Sequence, residues 1–251
     1  MSLDLGSAIA DSITTRGLPT LTTTDVSPNA TFGSTSTGES NNSILYAASQ
    51  MAGVWKSVDG GRNWKQAGAG LRAGNTQNNY SLAVDFVNPQ HLLYAAMDDD
   101  GRNAISCPEN VVEVECNYGG LWVSDTGAAS WVHVDLPGCH HPSISSVVFA
   151  GGRPFVATGC GIATASGSSL ASATWLLLPN TPFGTGAILA SSNSPSQTLF
   201  ACQGQGVYRS ESLGSADSWT VGPNPGGPCL GVAWAPLDEL QPSSIVVMHD
   251  V

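Results

Sequence analysis

The segment 53–64, GVWKSVDGGRNW, contains side chains of the kind used in hydrolytic sites. Asp59 is a possible general acid, and Trp64 is a surface on which a sugar ring could stack. The same spacing also suits a tight turn, since Gly61 or the glycine before it supplies a positive φ and Asp59 accepts hydrogen bonds from free N–H groups. The segment alone is therefore compatible with a catalytic role or a structural one.

An acidic cluster is a second group with possible chemistry. Asp98, Asp99 and Asp100 stand beside Arg102 in the sequence DDDGRN. Three carboxylates could bind Ca²⁺, but the sequence lacks the alternate spacing of a calcium loop. The pattern favours a solvated acidic loop that is available for ligand binding.

His140 and His141 follow Cys139, and no third metal ligand is near them in the sequence. We therefore predict no metal and no cofactor, and we keep the two histidines as ligand-binding candidates. Trp234 is a further candidate, because an inner-strand tryptophan could stack on a sugar, although its position in the strand favours a buried core residue.

Charge and hydropathy exclude two classes of partner. The 251 residues carry a net charge of −11 and contain only two lysines, so no basic surface could neutralise a nucleic acid backbone. No apolar run reaches the length of about 18 residues that a membrane-spanning helix needs. We expect neither a nucleic acid partner nor a membrane span.

The six cysteines are even in number and have no CxxC spacing, which favours disulfides over metal ligation. Three N-x-S/T acceptor sites and a Ser/Thr-rich opening are typical of an extracellular glycoprotein. We therefore predict a secreted protein. The cysteines are Cys107, Cys116, Cys139, Cys160, Cys202 and Cys229, and the acceptor residues are Asn29, Asn41 and Asn79.

The elements that position these residues form a repeat. Four phrases begin with Gly and an apolar residue and end on Trp, at 53–64, 120–131, 161–175 and 206–219, and each is preceded by two apolar strands such as SLAVDFV at 81–87. Four short strands, which we call A to D, in each repeat predict a β-propeller of four-stranded antiparallel blades. The blades are expected at about 21–70, 71–136, 137–180, 181–221 and 222–251.

The last repeat has sequences for strands A and B only. Residues 1–20 are surplus to the first blade, and Gly6 to Leu18 has the spacing of a C–D strand pair. We predict five blades in one domain, 1–251, with the last blade completed by residues 1–20, because this closure removes unpaired sheet edges. The alternative is part of a larger ring, marked by a free edge at SSIVVMH.

The phrase Ser57-x-Asp59-x-Gly61-x-x-Trp64 resembles the Asp box, or BNR repeat, SxDxGxxW, of sialidases, some glycoside hydrolases and sortilin-type receptor propellers. The second repeat keeps only the Ser and the Trp, and the third and fourth keep little beyond the Trp. The resemblance implies a propeller in which the box is structural. In sialidase-like members the functional rim lies opposite these boxes.

Strand alternation places the B–C and D–A connections on one face and the C–D turns on the other. All six cysteines then fall on the first face, which we call the rim. The simplest of the fifteen possible pairings joins neighbouring rim loops. It pairs Cys107 with Cys116, Cys139 with Cys160, and Cys202 with Cys229.

Three functions follow from this arrangement. The first is a non-catalytic recognition module that binds carbohydrate or an extracellular protein through the rim. The second is a structural subunit of an extracellular assembly, with self-association. The third is a glycoside hydrolase of sialidase-like or xyloglucanase-like type, but Arg62 lies on the wrong face to join the three arginines that a sialidase needs, so we assign no catalytic residue.

Overall fold

The structure is a computed structural model, and every regular element that it describes is a β-strand. The strands form four four-stranded antiparallel sheets and one two-stranded sheet in chain order. The described residues are 32–35, 44–49, 53–71, 80–85, 87–96, 120–137, 144–181, 188–191, 198–203, 206–222, 229–235 and 244–249.

The first two sheets are formed by the first eight strands. In the first sheet the strands are β1 (Phe32–Thr35), β2 (Ile44–Ser49), β3 (Gly53–Ser57) and β4 (Lys65–Gln66). In the second sheet they are β5 (Tyr80–Val84), β6 (Leu92–Ala96), β7 (Gly120–Ser124) and β8 (Val132–Val134).

The remaining sheets follow the same order. The third contains β9 (Ile144–Ala150), β10 (Arg153–Thr158), β11 (Gly161–Ser166) and β12 (Thr174–Leu177). The fourth contains β13 (Ile188–Ser191), β14 (Leu199–Gln203), β15 (Gly206–Ser210) and β16 (Trp219–Val221), and the two-stranded fifth contains β17 (Cys229–Ala235) and β18 (Ser244–His249).

The first strands of successive sheets pack side by side, in the order β1, β5, β9, β13 and β17. Apolar cores lie between neighbouring sheets, because successive residues of a strand point to opposite faces. Between the first two sheets Val54 and Tyr46 pack against Trp131, and between the next two Leu93 and Leu121 pack against Trp175. Trp131 and Trp175 therefore each join their own sheet to the one before it.

One strand ends earlier than its sequence suggests. The apolar run 81–87 predicts a continuous strand, but β5 ends at Val84. The carboxylate Oδ1 of Asp85 accepts a hydrogen bond from the N–H of Val87 at 2.8 Å, which turns the chain and leaves the Val87 side chain 75% exposed. At Val87, the hydrogen bond to the Asp85 side chain takes the place of a backbone hydrogen bond to the neighbouring strand.

Ring closure falls outside the described residues, because residues 1–31 are not among them. Among the described strands, β18 pairs with β17 alone, and β17 does not pack on β1 in the way that the other first strands pack on one another. The number of blades, their predicted boundaries and the closure by residues 1–20 stay predictions.

Candidate functional site

The turn between β3 and β4 is held by its own side chains. Ser57, which is buried, donates through Oγ to Asp59 Oδ1 at 2.8 Å and accepts from the N–H of Gly61 at 2.9 Å. The two carboxylate oxygens of Asp59 also accept from the N–H of Asn63 at 2.9 Å and from its amide Nδ2 at 2.6 Å. Trp64 Nε1 closes the turn by donating to the Gly61 carbonyl at 3.0 Å.

These bonds set the charge state of Asp59. The backbone N–H of Asn63, its side-chain amide and the Ser57 hydroxyl stabilise the carboxylate and lower the pKa of Asp59 from 3.8 to about 2. A general acid needs a raised pKa, so that it still carries its proton near neutral pH. Asp59 has the opposite shift, and its environment favours the structural role.

The turn between β7 and β8 repeats the geometry without the charge. Ser124 Oγ accepts from the N–H of Ala128 at 3.1 Å, as Ser57 does for Gly61. Thr126 Oγ1 accepts from the N–H of Ser130 at 2.9 Å and so replaces the aspartate. Ala128 has a φ of 66°, a conformation that usually requires glycine. The first and second repeats therefore share the hydrogen-bond scheme more closely than the residue types.

Sequence reasoning missed the same scheme in the turn after β15. Ser210 Oγ accepts from the N–H of Gly214 at 2.8 Å and from that of Ser212 at 3.3 Å. The Ser-x-x-x-Gly spacing at 210–214 equals that at 57–61 and could have revealed it. The segment from Ser210 to Trp219 is two residues longer than that from Ser57 to Trp64, so the two phrases do not align over their whole length.

Asp125, in the β7–β8 turn, reaches the neighbouring sheet. Its carboxylate accepts from the N–H of Leu170 at 2.7 Å, from Ser169 Oγ at 2.8 Å and from the N–H of Ala171 at 3.2 Å. Burial raises the pKa of Asp125, but these bonds, led by that from Leu170 and helped by the nearby His91, outweigh burial and hold the pKa below its ordinary value. This carboxylate joins the second and third sheets.

His91 lies between two carboxylates just before β6. Its Nε2 is 3.4 Å from Asp125 Oδ1, its Nδ1 is 3.7 Å from Asp85 Oδ2, and Asn88 Nδ2 contacts Nε2 at 3.0 Å. This set has the residue types of an acid–base site, but His91 is 9% exposed and Asp85 is 2% exposed. A substrate has no access to such groups, so the arrangement supports packing between turns rather than catalysis.

Lys56 forms a link between the first and second sheets. Its Nζ donates to the carbonyl of Gly127 at 2.8 Å and lies 5.3 Å from the centre of the Tyr46 ring. Burial lowers the pKa of Lys56 and raises the pKa of Tyr46. One of the two lysines of the chain is thus committed to an internal contact.

Most of the predicted rim residues, and all three predicted glycosylation acceptors, lie outside the described residues. This applies to the acidic cluster, the histidine pair, three cysteines and the three glycosylation acceptors: Asp98, Asp99, Asp100, Arg102, Cys107, Cys116, Cys139, His140, His141, Asn29, Asn41 and Asn79. Trp234 is part of β17, where its backbone is paired with Ile245. The roles assigned to these residues remain predictions.

Two cysteines expected in connections lie in strands instead. Cys202 belongs to β14, one residue before that strand ends, and is fully buried, and Cys229 is the first residue of β17. The strands extend over them because each is an apolar residue within an apolar run. Cys160 lies in the β10–β11 turn as expected, and Cys160 and Cys202 are both disulfide-bonded. The predicted pairing stays a prediction.

The described part of the chain contains neither a candidate metal site nor a candidate membrane-spanning helix. Its residues include no group of three or more His, Cys, Asp or Glu side chains that could hold a metal ion. They also include no helix that is long and apolar enough to cross a membrane.

The arrangement of sheets is similar to that of known β-propellers. An ancestral GH74 enzyme superposes with a TM-score of 0.56 at 14% sequence identity, covering 84% of this chain and 28% of that one. YCF48 bound to the D1 peptide superposes with a TM-score of 0.51 at 14% identity, covering 84% of this chain and 62% of that one. This chain therefore spans less than two thirds of either protein.

No family model matches the chain, and no curated protein matches its sequence. At 14% identity the similarity shows the fold alone. The chain is an all-β protein with the fold of a β-propeller, built from several four-stranded antiparallel sheets.

Proposed function

We propose that this chain is a secreted, non-catalytic recognition module that binds carbohydrate or a glycoprotein through the rim of the propeller. The observation that carries the proposal is that the carboxylates on the face opposite the rim are hydrogen-bonded within the protein. There the Asp59 carboxylate is occupied by Asn63 and Ser57, and the Asp125 carboxylate by residues 169–171. Polar groups that are bonded internally are not available to a ligand, so function falls to the rim.

The contacts of Arg153 and Arg209 give no support to the sialidase-like alternative. Arg209 forms an ion pair with Glu211 at 2.5 Å, and the Arg153 guanidinium lies 5.6 Å from the centre of the Phe155 ring. Neither is presented as one of three converging arginines. The YCF48 structure contains a bound peptide, which supports the general capacity of this fold to present a binding surface, and we extend that capacity to this chain as a proposal.

The full proposal includes a ring of five blades in which residues 1–20 complete the sheet of β17 and β18. A closed ring would hold the rim loops in one arrangement, and a pre-ordered rim loses less entropy on binding. Hydrogen exchange on the full chain tests this point. Slow exchange of backbone N–H groups within 6–18, lost when β18 is disrupted by Val247→Pro, is the expected result.

A glycan array tests the recognition function. We expect binding by the wild-type protein, at least tenfold weaker binding by Trp234→Ala or by the double variant His140→Ala/His141→Ala, and unchanged binding by Asp59→Asn, which alters the opposite face. An equal loss of glycan binding in Asp59→Asn would contradict the proposal, because it would place the binding site on the face opposite the rim.

The same preparation separates the alternative functions. Filaments by electron microscopy together with no binding to any glycan would replace the recognition module with a structural subunit. Release of reducing sugar from xyloglucan, or of sialic acid from a sialoside, by the wild-type protein would replace it with a hydrolase.

A further inference from the structure

The first sheet presents a sheet-packing face that no described residue covers. Leu45 and Ala47 on β2, Trp55 on β3 and Trp64 after the turn share this face, and all four are only half-buried. We call these four residues the leading face. It lies opposite the core that Tyr46 and Val54 form with the second sheet.

The fourth sheet shows what covers such a face elsewhere in the fold. Leu199 on β14 pairs with Ser210, the last residue of β15, just as Leu45 on β2 pairs with Ser57, the last residue of β3. Leu199 and Ala201 therefore occupy the positions of Leu45 and Ala47, and the residue types are the same. Yet Leu199 and Ala201 are both 0% exposed, because the third sheet packs on them. Leu199 and Ala201 are thus buried where a described sheet packs on them, whereas Leu45 and Ala47 are half-buried where no described sheet does.

The second sheet gives the same result with larger residues. Leu92, Tyr94, Trp122 and Trp131 occupy the positions of the leading face, and each is 6% exposed or less against the first sheet. The indole of Trp131 also donates to the carbonyl of Ala67 in the preceding sheet at 2.7 Å.

Trp55 provides an independent indication that a polar partner belongs on the leading face. Its indole Nε1 is enclosed but has no hydrogen-bond partner among the described groups. A buried donor without an acceptor is costly, so native proteins rarely leave one. A backbone carbonyl from a covering segment would satisfy it.

The repeat indicates which segment covers each face. In the second, third and fourth sheets, a leucine that shortly precedes the first strand enters the core between that sheet and the one before. Leu71 precedes Tyr80 by 9 residues, Leu136 precedes Ile144 by 8, and Leu178 precedes Ile188 by 10. The nearest leucine before Phe32, where β1 begins, is Leu21, which precedes it by 11 residues, one more than the longest of these three spacings.

We propose that residues 18–24 of this chain dock on the leading face, with Leu21 as the apolar anchor and a backbone carbonyl of the segment accepting from Trp55 Nε1. The occupant is the chain's own segment because it is tethered to β1, which gives it a far higher effective concentration than any separate molecule. The proposal does not depend on the ligand of the rim or on pairing of residues 1–20 with β18.

Fluorine NMR of the full chain labelled with 5-fluorotryptophan tests the proposal. Trp→Phe substitutions assign the signals, and the shift between H₂O and D₂O reports the exposure of each ring. We expect Trp55 and Trp64 to show the small solvent shift of Trp131, and Leu21→Asp to raise it at least twofold at both rings with no change at Trp175. Val58→Asp, at a surface valine that is 60% exposed, is the matched control.

Three outcomes would overturn the proposal. They are a large solvent shift at Trp55 and Trp64 in the wild type, no response to Leu21→Asp, and a shift that falls with rising protein concentration, since the last would show that a second copy covers the face. If Leu21→Asp fails to fold, p-benzoylphenylalanine at position 21 gives a separate test. Photocrosslinks to the peptide 44–66 support the docking, and crosslinks confined to other regions or to a second chain contradict it.

Discussion

The carboxylate of Asp125 accepts a hydrogen bond from the backbone N–H of Leu170 at 2.7 Å, across the boundary between the second and third sheets. The third sheet has no aspartate in its own turn, and a residue of the preceding sheet supplies the acceptor. The turns of this propeller are therefore stabilised in part by their neighbours, and this coupling has measurable consequences.

Asp125→Asn should destabilise the fold by about 1–3 kcal/mol, because the amide loses the charge and one of the two acceptor oxygens that serve residues 169–171. Urea unfolding followed by intrinsic fluorescence measures the change. Asp135→Asn, at a side chain that is 96% exposed, is the control and should stay within about 0.5 kcal/mol of wild type. Equal effects in both variants would contradict the role of Asp125.

Stability should fall as the pH falls through the titration range of Asp59. The folded pKa of about 2 lies below the ordinary 3.8, so the native state binds fewer protons and its stabilisation is fully present above pH 3.8 and lost toward pH 2. Carboxyl NMR titration should give the folded pKa directly. Asn63→Ala removes the side-chain donor and should raise that pKa toward its ordinary value, and an unchanged pKa would refute the contribution of the Asn63 amide.

Gly70→Ala should destabilise the contact between the first two sheets by at least about 2 kcal/mol. Gly70 has a φ of 90°, and a Cβ there would lie 2.5 Å from the carbonyl oxygen of Trp131. Gly68→Ala is the matched control, since its Cβ would meet nothing closer than 3.8 Å. Thermal unfolding should separate the two variants, and a Gly70→Ala protein as stable as Gly68→Ala would disprove the close approach.

The two lysines should differ in their contribution to stability. Lys56→Met removes the bond from Nζ to the Gly127 carbonyl and should lower the free energy of unfolding by about 1–2 kcal/mol. Lys65→Met alters an exposed residue of β4 and should change it by less than about 0.5 kcal/mol. Denaturant titration of both variants measures the difference, which should vanish if the Lys56 contact is absent in solution.

Much of the strand framework could be predicted from the sequence. Short apolar runs separated by Gly, Asn and Pro turns predicted strands such as β3 and β7, because a repeated local pattern carries its own signal. The end of β5 was not predictable, since Asp85 is compatible with a strand until its carboxylate is seen to bond to Val87. The scheme around Ser210 was also missed, because its Trp stands two residues farther along than in the first phrase.

The sequence by itself determined the fold class and the residues that form the Ser57 turn. The alternation of apolar and polar residues, the turn residues and the spacing from Ser57 to Trp64 are all properties of residues that are close in the sequence. Only the tertiary structure revealed the partners of Asp125, Lys56 and Trp131, since each lies tens of residues away in the adjacent sheet. It also showed that Leu45 and Leu199, the same residue at the same register, have different surroundings. Burial depends on what packs across a sheet, and residue type alone does not specify that.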